Sequence, residues 1–263
     1  QFGKDATPAK IKAAMRQLGF ADVVEVAIGA DLCTVEEARD FLEEVPEKRD
    51  WMGTSCCPAW SLMAKKLFPQ FKENISMALT PMTLTARLIK KQHEKAKVVF
   101  IGPCAAKKLE AMRKTVRSEV DFVLTFEEMA GIFEARHIDV NTLKEDPHGV
   151  NDASADGRNF AVSGGVAQAV VNVIKEKYPD REIKVANAEG LSECRKLMMM
   201  AKAGKYNGYL LEGMACPGGC VAGAGTMQSI KKSSVAVNMY AKQAEHQVAT
   251  GTHHVAELDK LVD

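Results

Sequence analysis

The decisive stretch of this chain runs from Thr54 to Trp60 and has the sequence TSCCPAW. Two adjacent cysteines cannot easily form a disulfide with each other. Because Pro58 suits the first position of a helix, the stretch is typical of a strand end that turns into a helix. One thiol of such a pair can bind a metal while its neighbour stays free to carry a proton.

Two further cysteine loops follow, PCAAKKLE at 103–110 and EGMACPGGC at 212–220. Three such loops along one chain predict a metal centre held between lobes. The Pro-Gly-Gly between Cys216 and Cys220 lets the backbone wrap closely around an inorganic core. Four thiolates hold a [4Fe-4S] cubane, and the natural four here are Cys57, Cys104, Cys216 and Cys220.

Two alternatives compete with an iron–sulfur cluster. Structural zinc favours Cys-x₂-Cys pairs, which this chain lacks. Ordinary buried thiols are common, but Cys-Cys-Pro and Cys-Pro-Gly-Gly-Cys are not usual core sequences. The spacing therefore favours iron–sulfur. Cys33 and Cys194 stand alone and are predicted to be core thiols.

Composition narrows the function classes. The 263 residues suffice for one large domain or two lobes. With 35 Lys and Arg against 34 Asp and Glu, neither nucleic acid nor an anionic membrane is expected as the main partner. No apolar run reaches the roughly 18 residues of a membrane span.

Seven cysteines without a small disulfide framework predict a reducing compartment, hence the cytoplasm. The first residue is Gln, so a targeting signal remains an open question.

Hydrophobic patterning predicts alternating strands and helices. Strands separated by helices imply parallel sheet, and ligands bind beyond the carboxyl ends of such strands. Thr34 is expected to cap the second helix, with Glu37 at the capping-box position. The predicted strands are 23–27, 98–101, 122–124, 160–162, 183–186 and 209–211. The predicted helices are 8–19, 34–45, 58–66, 126–136, 166–177, 191–203 and a polar helical tail from 229.

The three loops Thr54–Trp60, Pro103–Glu110 and Glu212–Gly225 resemble the signature loops of the [FeFe]-hydrogenase active-site domain, in that family's order. The resemblance covers essentially the whole chain, 1–263. It implies an α/β fold with two lobes of mainly parallel sheet flanked by helices, approximately 1–95 with 205–263 and 96–204. Between the lobes it implies a buried H-cluster, a [4Fe-4S] cubane joined to a diiron unit that carries CO, cyanide and a bridging azadithiolate.

When the family's residues are matched to this sequence by position, the resemblance implies which cysteines bind the cluster. Cys57, Cys104 and Cys216 would bind the cubane, and Cys220 would bind it and bridge to the diiron unit. Cys56 would stay free and pass protons to and from the azadithiolate amine. A thiol suits this role because its unperturbed pKa is near 8.5, close enough to neutrality for proton exchange.

Three further residues match positions around the diiron unit. Lys107 matches a lysine that hydrogen-bonds a cyanide ligand, a charge-assisted contact. Met214 matches a methionine that packs against the diiron site. Glu110 matches a glutamate that braces the second loop.

A proton route is also implied. In the family, protons reach the free cysteine through two carboxylates and a serine, which correspond to Glu37, Asp40 and Ser76. The two carboxylates are three residues apart and share one helix face. From the residues alone, a solvated helix face is the favoured interpretation of Glu37 and Asp40, and the resemblance reverses that preference. The family has an arginine at the outer end, where this chain offers Glu44.

The chain departs from the family pattern in several places. Gly102 replaces a methionine before Pro-Cys, and the third loop ends in the sequence AGTM at 224–227. The domain's first strand is missing, and so are ferredoxin-like cysteine repeats. The expected partners are therefore a ferredoxin-like electron donor or acceptor, as a domain or a separate protein, and H-cluster maturation proteins.

These observations predict an enzyme that interconverts H₂ with protons and electrons in the cytoplasm of an anaerobe. One alternative is a non-catalytic iron–sulfur protein similar to the eukaryotic Narf-like proteins, which lack the diiron unit. Another is a module of the same fold that senses H₂ or redox state. Retention of Cys56, Lys107 and Met214 favours the enzyme.

Overall fold

The computed structural model describes residues 1–262; Asp263, the last residue of the expected domain, lies outside them. Two parallel sheets form the framework. One has the strand order β1-β5-β4 and the other pairs β2 with β3. The α/β class with parallel sheets flanked by helices is therefore confirmed. The strands are β1 (Trp51–Gly53), β2 (Val99–Gly102), β3 (Phe122–Thr125), β4 (Lys184–Glu189) and β5 (Tyr209–Met214).

Helices account for most of the remaining regular structure. The α-helices are α1 (Pro8–Gln17), α2 (Ala27–Glu44), α3 (Pro58–Leu67), α4 (Pro81–Gln92), α5 (Ala106–Ala111), α6 (Phe126–Ala135), α7 (Ala155–Asn159), α8 (Gly165–Lys177), α9 (Leu191–Lys202) and α10 (Ile230–Ala241). Short 3₁₀ segments cover Pro69–Asn74, Val140–Thr142, Cys220–Ala222, Ala249–Gly251 and His253–Lys260. No helix within residues 1–262 is both long and apolar enough to cross a membrane.

The central strand β5 is covered on both faces. Successive side chains of a strand point to opposite faces. Leu210 accordingly packs with Phe41 of α2 and Ile174 of α8, whereas Leu211 packs with Trp60 of α3 and Leu197 of α9. A strand buried on both faces is typical of parallel sheets between helix layers.

The second sheet packs on α1 and α6. Ile101 of β2 and Leu124 of β3 lie against a core that contains Met15, Met129 and Phe133. The approximate lobe division expected from the sequence differs from this arrangement. Residues 184–189 pair with β5 and so belong to the sheet of β1, and α1 packs against the other sheet. The reason is that strand pairing and helix packing, rather than nearness in sequence, decide sheet membership.

Two predicted strands are wrong. Residues 23–27 are irregular up to the start of α2, which begins at Ala27, and the hydroxyl of Thr34 donates to the carbonyl of Ala30 at 2.8 Å. Thr34 is therefore inside the helix and caps nothing, so the capping-box position of Glu37 is also wrong. Residues 160–162 follow α7 as a turn, because the Ser154 side chain caps a short helix just before them.

Candidate metal centre

The three cysteine loops lie where strands end, as expected for parallel sheets. The first follows β1, the second follows β2 and the third follows β5. Since β1 and β5 are paired neighbours, the first and third loops leave the same edge of one sheet. Cys57 is the N-cap of α3, with Pro58 in its first turn.

The third loop is joined directly to the second. The N–H of Gly225 donates to the Pro103 carbonyl at 2.9 Å. A Cβ on Gly223 would come within 2.4 Å of the same oxygen, so only glycine allows this approach. The two loops come from different sheets, and these contacts bring Cys104 toward Cys216 and Cys220.

The Pro-Gly-Gly segment wraps as the sequence predicts. Gly218 and Gly219 have φ of +89° and +93°, a region that favours glycine. Their loop is bonded to the turn before α8, through Ser163 N–H to Gly218 O at 3.1 Å. A Cβ on Gly219 would lie 2.6 Å from Ser163 N.

A buried carboxylate anchors the strand that leads into this loop. Glu212 is fully buried, and its two oxygens accept the N–H groups of Gly164 and Ala167, both at 2.7 Å. These donors lie at the start of α8, where the helix dipole favours an anion. Burial nevertheless raises the pKa of Glu212.

Trp60 holds the first loop against β5. Its indole N–H donates to the Thr54 carbonyl at 3.1 Å, and its ring lies where a Cβ on Gly213 would be, 2.2 Å from Trp60 Cδ2. The N–H of Ala215 points at Cys57 Sγ, 3.5 Å away. The first and third loops are therefore in contact around Cys57.

The four cysteines named as ligands influence one another electrostatically. Burial and the thiolates of Cys57, Cys104 and Cys216 raise the pKa of Cys220 to about 12. Burial and the thiolates of Cys57 and Cys104 likewise raise the pKa of Cys216. A like-charge effect of this kind requires nearby thiols, so these cysteines form one group.

Zinc and an iron–sulfur cluster make different demands on these cysteines. Within residues 1–262, no three His, Cys, Asp or Glu side chains are placed to bind a single metal ion. One zinc ion needs its sulfurs about 2.3 Å from a common point. A [4Fe-4S] cluster instead distributes four thiolates over four iron atoms, and four cysteines supply that number of thiolates.

Cys56 lies beside this group and is buried, with 9% of its surface exposed. It belongs to the same apolar cluster as Met214 and Cys33. Burial, followed by the charge of Glu37, raises the pKa of its thiol well above the ordinary value. The protein therefore surrounds Cys56 with an environment that favours the protonated thiol.

Lys107 links the second loop to the first. Its ammonium donates to Glu110 Oε2 at 2.7 Å and to the Cys56 carbonyl at 3.3 Å. Burial alone would lower the pKa of Lys107, but the adjacent Glu110 carboxylate outweighs it and the pKa is raised. Glu110 also accepts the hydroxyl of Thr80 at 2.5 Å. Lys107 is thus held as a cation beside Cys56.

Glu37 lies on the inner face of α2 and is fully buried, so the solvated-face alternative is wrong for this residue. Its Oε1 accepts the Ser55 N–H at 2.6 Å. Burial raises the pKa of Glu37 to about 8, against the lowering effect of the Ser55 hydrogen bonds. No hydrogen bond joins Glu37 to Asp40 among the described residues.

The remaining residues of the predicted proton route, Asp40, Ser76 and Glu44, make their own contacts. The Ser76 hydroxyl lies 3.4 Å from Asp40 Oδ2, and Glu44 forms an ion pair with Arg49. Sequence reasoning missed Arg49 and the Ser55 N–H. The turn after α2 brings Arg49 back so that its N–H bonds the Glu44 carbonyl at 3.0 Å, and a basic residue just beyond that turn was the available signal.

A family model described as the iron-only hydrogenase large subunit, C-terminal domain, matches residues 1–224. The chain belongs to this family. It is 31% identical over 265 residues to the periplasmic [Fe] hydrogenase large subunit of Nitratidesulfovibrio vulgaris, covering 83% of the chain and 62% of the relative. It is 26% identical over 309 residues to iron hydrogenase 1 of Clostridium pasteurianum, covering 99% and 54%.

The chain is also similar to proteins with other names. The nuclear prelamin A recognition factor of Xenopus laevis is 25% identical over 266 residues, covering 82% of the chain and 58% of that protein. The chain thus spans little more than half the length of these curated relatives. A solved structure of HydA(deltaEFG), described as revealing stepwise [FeFe]-hydrogenase H-cluster assembly, aligns with a TM-score of 0.77 at 25% identity, covering 97% of this chain and 83% of that one.

Proposed function

We propose that this chain is the catalytic part of an [FeFe]-hydrogenase, which interconverts H₂ with protons and electrons. One observation carries the proposal. Cys56, a buried thiol that is not one of the four proposed ligands, lies next to Cys57, and the buried acid Glu37 accepts the N–H of Ser55, the residue just before Cys56. A protein that only held an iron–sulfur cluster would need no such pair.

The proposed cofactor is the H-cluster. Cys57, Cys104, Cys216 and Cys220 would hold the cubane, with Cys220 also joining it to the diiron unit. When bound, that group would pass electrons to and from the carrier and supply the metal site at which the H–H bond forms or breaks. The resident side chains nearest that unit would be Cys56, Lys107 and Met214.

The chain's own contribution is to hold and move protons. The buried thiol of Cys56 keeps its proton until a base removes it, and Glu37 has a pKa of about 8, near the pH at which such an enzyme works. The Ser55 N–H fixes one Glu37 oxygen, which leaves the other free to exchange a proton.

The outer part of the route would continue through Ser76 and Asp40. Their 3.4 Å separation is long for a hydroxyl–carboxylate hydrogen bond and leaves no room for a water between them, so the proton would pass by a direct contact that shortens. Glu44, paired with Arg49 where α2 ends, would connect the route to solvent.

Lys107 would serve the cofactor through its charge. Its ammonium can donate three hydrogen bonds, of which Glu110 and the Cys56 carbonyl take two. The third would be available to an anionic ligand such as cyanide. Met214, buried against Cys56, would add an apolar contact on the same side.

A second candidate is a non-catalytic iron–sulfur protein. Similarity to the prelamin A recognition factor, and to a probable cytosolic Fe-S cluster assembly factor of Drosophila mojavensis, favours it. In that case the cubane alone would occupy the four cysteines. A module that senses H₂ or redox state is a third reading of the same site.

The same proposal extends to partners and location. A ferredoxin-like carrier would exchange electrons, and maturation proteins would insert the diiron unit. A cytoplasmic location stays a prediction, since one hydrogenase relative is named as periplasmic.

Infrared spectroscopy of the chain, loaded with a cubane and then treated with a diiron precursor, tests the proposal. We expect CO and cyanide bands and H₂ evolution with a reduced small dye. Cys56→Ala should lower turnover by roughly 10²-fold or more while the bands stay near their positions. Cys194→Ala, which removes a different buried thiol, is the matched control. A fully cubane-loaded protein without these bands would refute the hydrogenase function.

A further inference from the structure

A carboxylate contacts the loop that joins two of the proposed cluster ligands. Glu189 Oε2 accepts the N–H of Gly218 at 3.0 Å. Gly218 lies midway between Cys216 and Cys220 in the sequence. Because consecutive Cα atoms are about 3.8 Å apart, the Cα of Gly218 is at most about 7.6 Å from the Cα of either cysteine. Glu189 is not one of the four proposed ligands, so the position of its charge calls for an explanation.

The residues after Cys216 form a tight turn that does not use this N–H. The N–H of Gly219 donates to the Cys216 carbonyl at 3.0 Å, which closes the turn. Pro217 and Gly218 occupy its centre, and the φ of +89° at Gly218 is the conformation that a type II turn requires at its third position. The Gly218 N–H is therefore available to a partner outside the turn, and Glu189 is that partner.

The pairing of β4 with β5 determines where this carboxylate lies. Glu189 is the last residue of β4 and is in register with Met214, the last residue of β5. The N–H of Gly190 donates to the Met214 carbonyl at 2.8 Å. The N–H of the same peptide group, that of Ala215, points at Cys57 Sγ from 3.5 Å. The end of β4 thus contacts the backbone beside Cys57 as well as the turn of the third loop.

The negative charge of Glu189 is not neutralised by a cation. The residue is exposed, and its carboxylate forms no ion pair with any residue in the described part of the chain, 1–262. By contrast, Glu193 on α9 pairs with Lys196 at 2.6 Å. A backbone N–H carries only a partial positive charge, so the hydrogen bond from Gly218 leaves most of the charge of Glu189 in place. Glu189 is therefore a fixed anion beside the third cysteine loop.

A negative charge close to an iron–sulfur cluster lowers the reduction potential of that cluster. Reduction converts [4Fe-4S]²⁺ to [4Fe-4S]⁺ by one electron, which an external carrier or a chemical reductant supplies, and the cluster with its four thiolates becomes more negative. Hydrogen bonds to the sulfurs stabilise the reduced state, whereas a nearby anion destabilises it. The carboxylate of Glu189 repels the added electron, and it also engages an N–H that is then not available to a sulfur.

We propose that Glu189 sets the reduction potential of the cubane and holds it lower than a neutral side chain at this position would. This inference rests on the cubane of the proposed function, and it holds whether or not a diiron unit is bound. A lower potential makes the reduced cubane a stronger electron donor. Glu189 therefore favours proton reduction over H₂ oxidation.

Redox titration of the cubane-loaded chain tests the proposal. The cluster is reduced stepwise with dithionite and mediator dyes, and the reduced form is measured by its EPR signal. Glu189→Gln keeps an oxygen that can accept the Gly218 N–H but removes the charge. At a fixed ambient potential near the parent midpoint, we expect the ratio of reduced to oxidised cluster to rise about three- to tenfold in this variant. Glu189→Asp keeps the charge, so its ratio should stay within about twofold of the parent ratio.

Two comparisons separate the effect of charge from that of packing. Glu182→Gln removes the same charge from an exposed residue just before the amino end of β4, roughly 20 Å along the strand from Glu189. Its ratio should stay within about twofold of the parent ratio, because this distance exceeds the screening length. The shift in Glu189→Gln should also shrink between about 50 mM and about 500 mM salt, since salt screens an exposed charge.

Several outcomes would overturn the proposal. They are an unchanged ratio in Glu189→Gln, an equal shift in Glu182→Gln, a shift that Glu189→Asp reproduces, and a shift that does not depend on salt. A chain that takes up no [4Fe-4S] cluster would refute this inference together with the proposed function. A loaded cluster that responds to Glu189→Gln, in a chain that gives no CO and cyanide bands with a diiron precursor, would refute the hydrogenase function and leave the role of Glu189 standing.

Discussion

The backbone N–H of Ser55 donates to Oε1 of Glu37 at 2.6 Å, whereas Oε2 of that carboxyl has no partner within residues 1–262. Ser55 immediately precedes Cys56, so this bond ties the buried acid of α2 to the first cysteine loop. A buried, half-satisfied carboxyl is costly unless it is protonated. This arrangement therefore favours a Glu37 carboxyl that can take up and release a proton.

Glu37→Gln should change how stability depends on pH. The Glu37 pKa is raised to about 8 by burial, with further raising by Asp40 and Glu36. Between the ordinary pKa of 4.5 and about 8, the unfolded chain releases this proton and the folded chain keeps it. Stability is thus lost as pH rises through that window, by up to about 1.4 kcal/mol per pH unit.

The Glu37→Gln variant has no carboxyl that can titrate at this position. Its free energy of unfolding should therefore fall less between pH 5 and pH 8 in denaturant titrations of the metal-free chain. Glu43→Gln, at an exposed position of the same helix, is the control and should keep the parent slope. Identical slopes in parent and Glu37→Gln would show that Glu37 is ionised at neutral pH.

Glu110→Leu should be more destabilising than the double change with Lys107→Met. The ion pair is 2.7 Å long, and both side chains are nearly inaccessible, at 10% and 3% exposure. Removal of one partner leaves a buried charge uncompensated and costs about 3–5 kcal/mol, whereas removal of both often costs little. Denaturant unfolding of the single and double variants measures the difference. A double variant less stable than the single one would contradict this account.

Cys104→Ala should lower the iron content of the reconstituted chain, because it removes one of four proposed cluster ligands. Cys33→Ala and Cys194→Ala should keep the iron content of the parent, since both thiols are fully buried core residues. Iron and sulfide analysis with the visible absorption of the cluster measures this. Four irons per chain in Cys104→Ala would remove Cys104 from the ligand set.

Gly219→Ala should disrupt the third loop. Its φ of +93° is strained for any residue with a Cβ, and the added atom would lie 2.6 Å from Ser163 N. We expect a loss of about 1–3 kcal/mol of stability and weaker retention of the cluster. The reconstituted variant is compared with the parent by thermal unfolding and by cluster release to a chelator.

Gly131→Ala is the matched change for this test. Gly131 lies within α6, where a Cβ meets nothing within 4 Å. There alanine should stabilise the chain by about 0.5–1 kcal/mol, since it lowers the entropy lost on folding. If the two alanine variants behave alike, the tight wrap of the third loop is not required.

The sequence alone determined the local features of this protein. Residue type and short-range periodicity predict the cysteine loops, the glycine turn at 218–219 and most helices. They also predict the parallel pairing of strands that are separated by helices. Pro58 at the start of α3 is an example, because it acts within one turn of the backbone. The family resemblance rested on the same local patterns.

Only the tertiary structure decided how these pieces are combined. Three features depend on contacts between distant segments or on a turn whose path the sequence pattern does not specify. They are the pairing of β4 with β5, the burial of Glu37 and the return of Arg49 to Glu44. The strand predicted at 23–27 failed for a related reason: Val23 packs into the core of the second sheet, and Glu25 pairs with the buried Arg158. Long-range packing outweighed local propensity there.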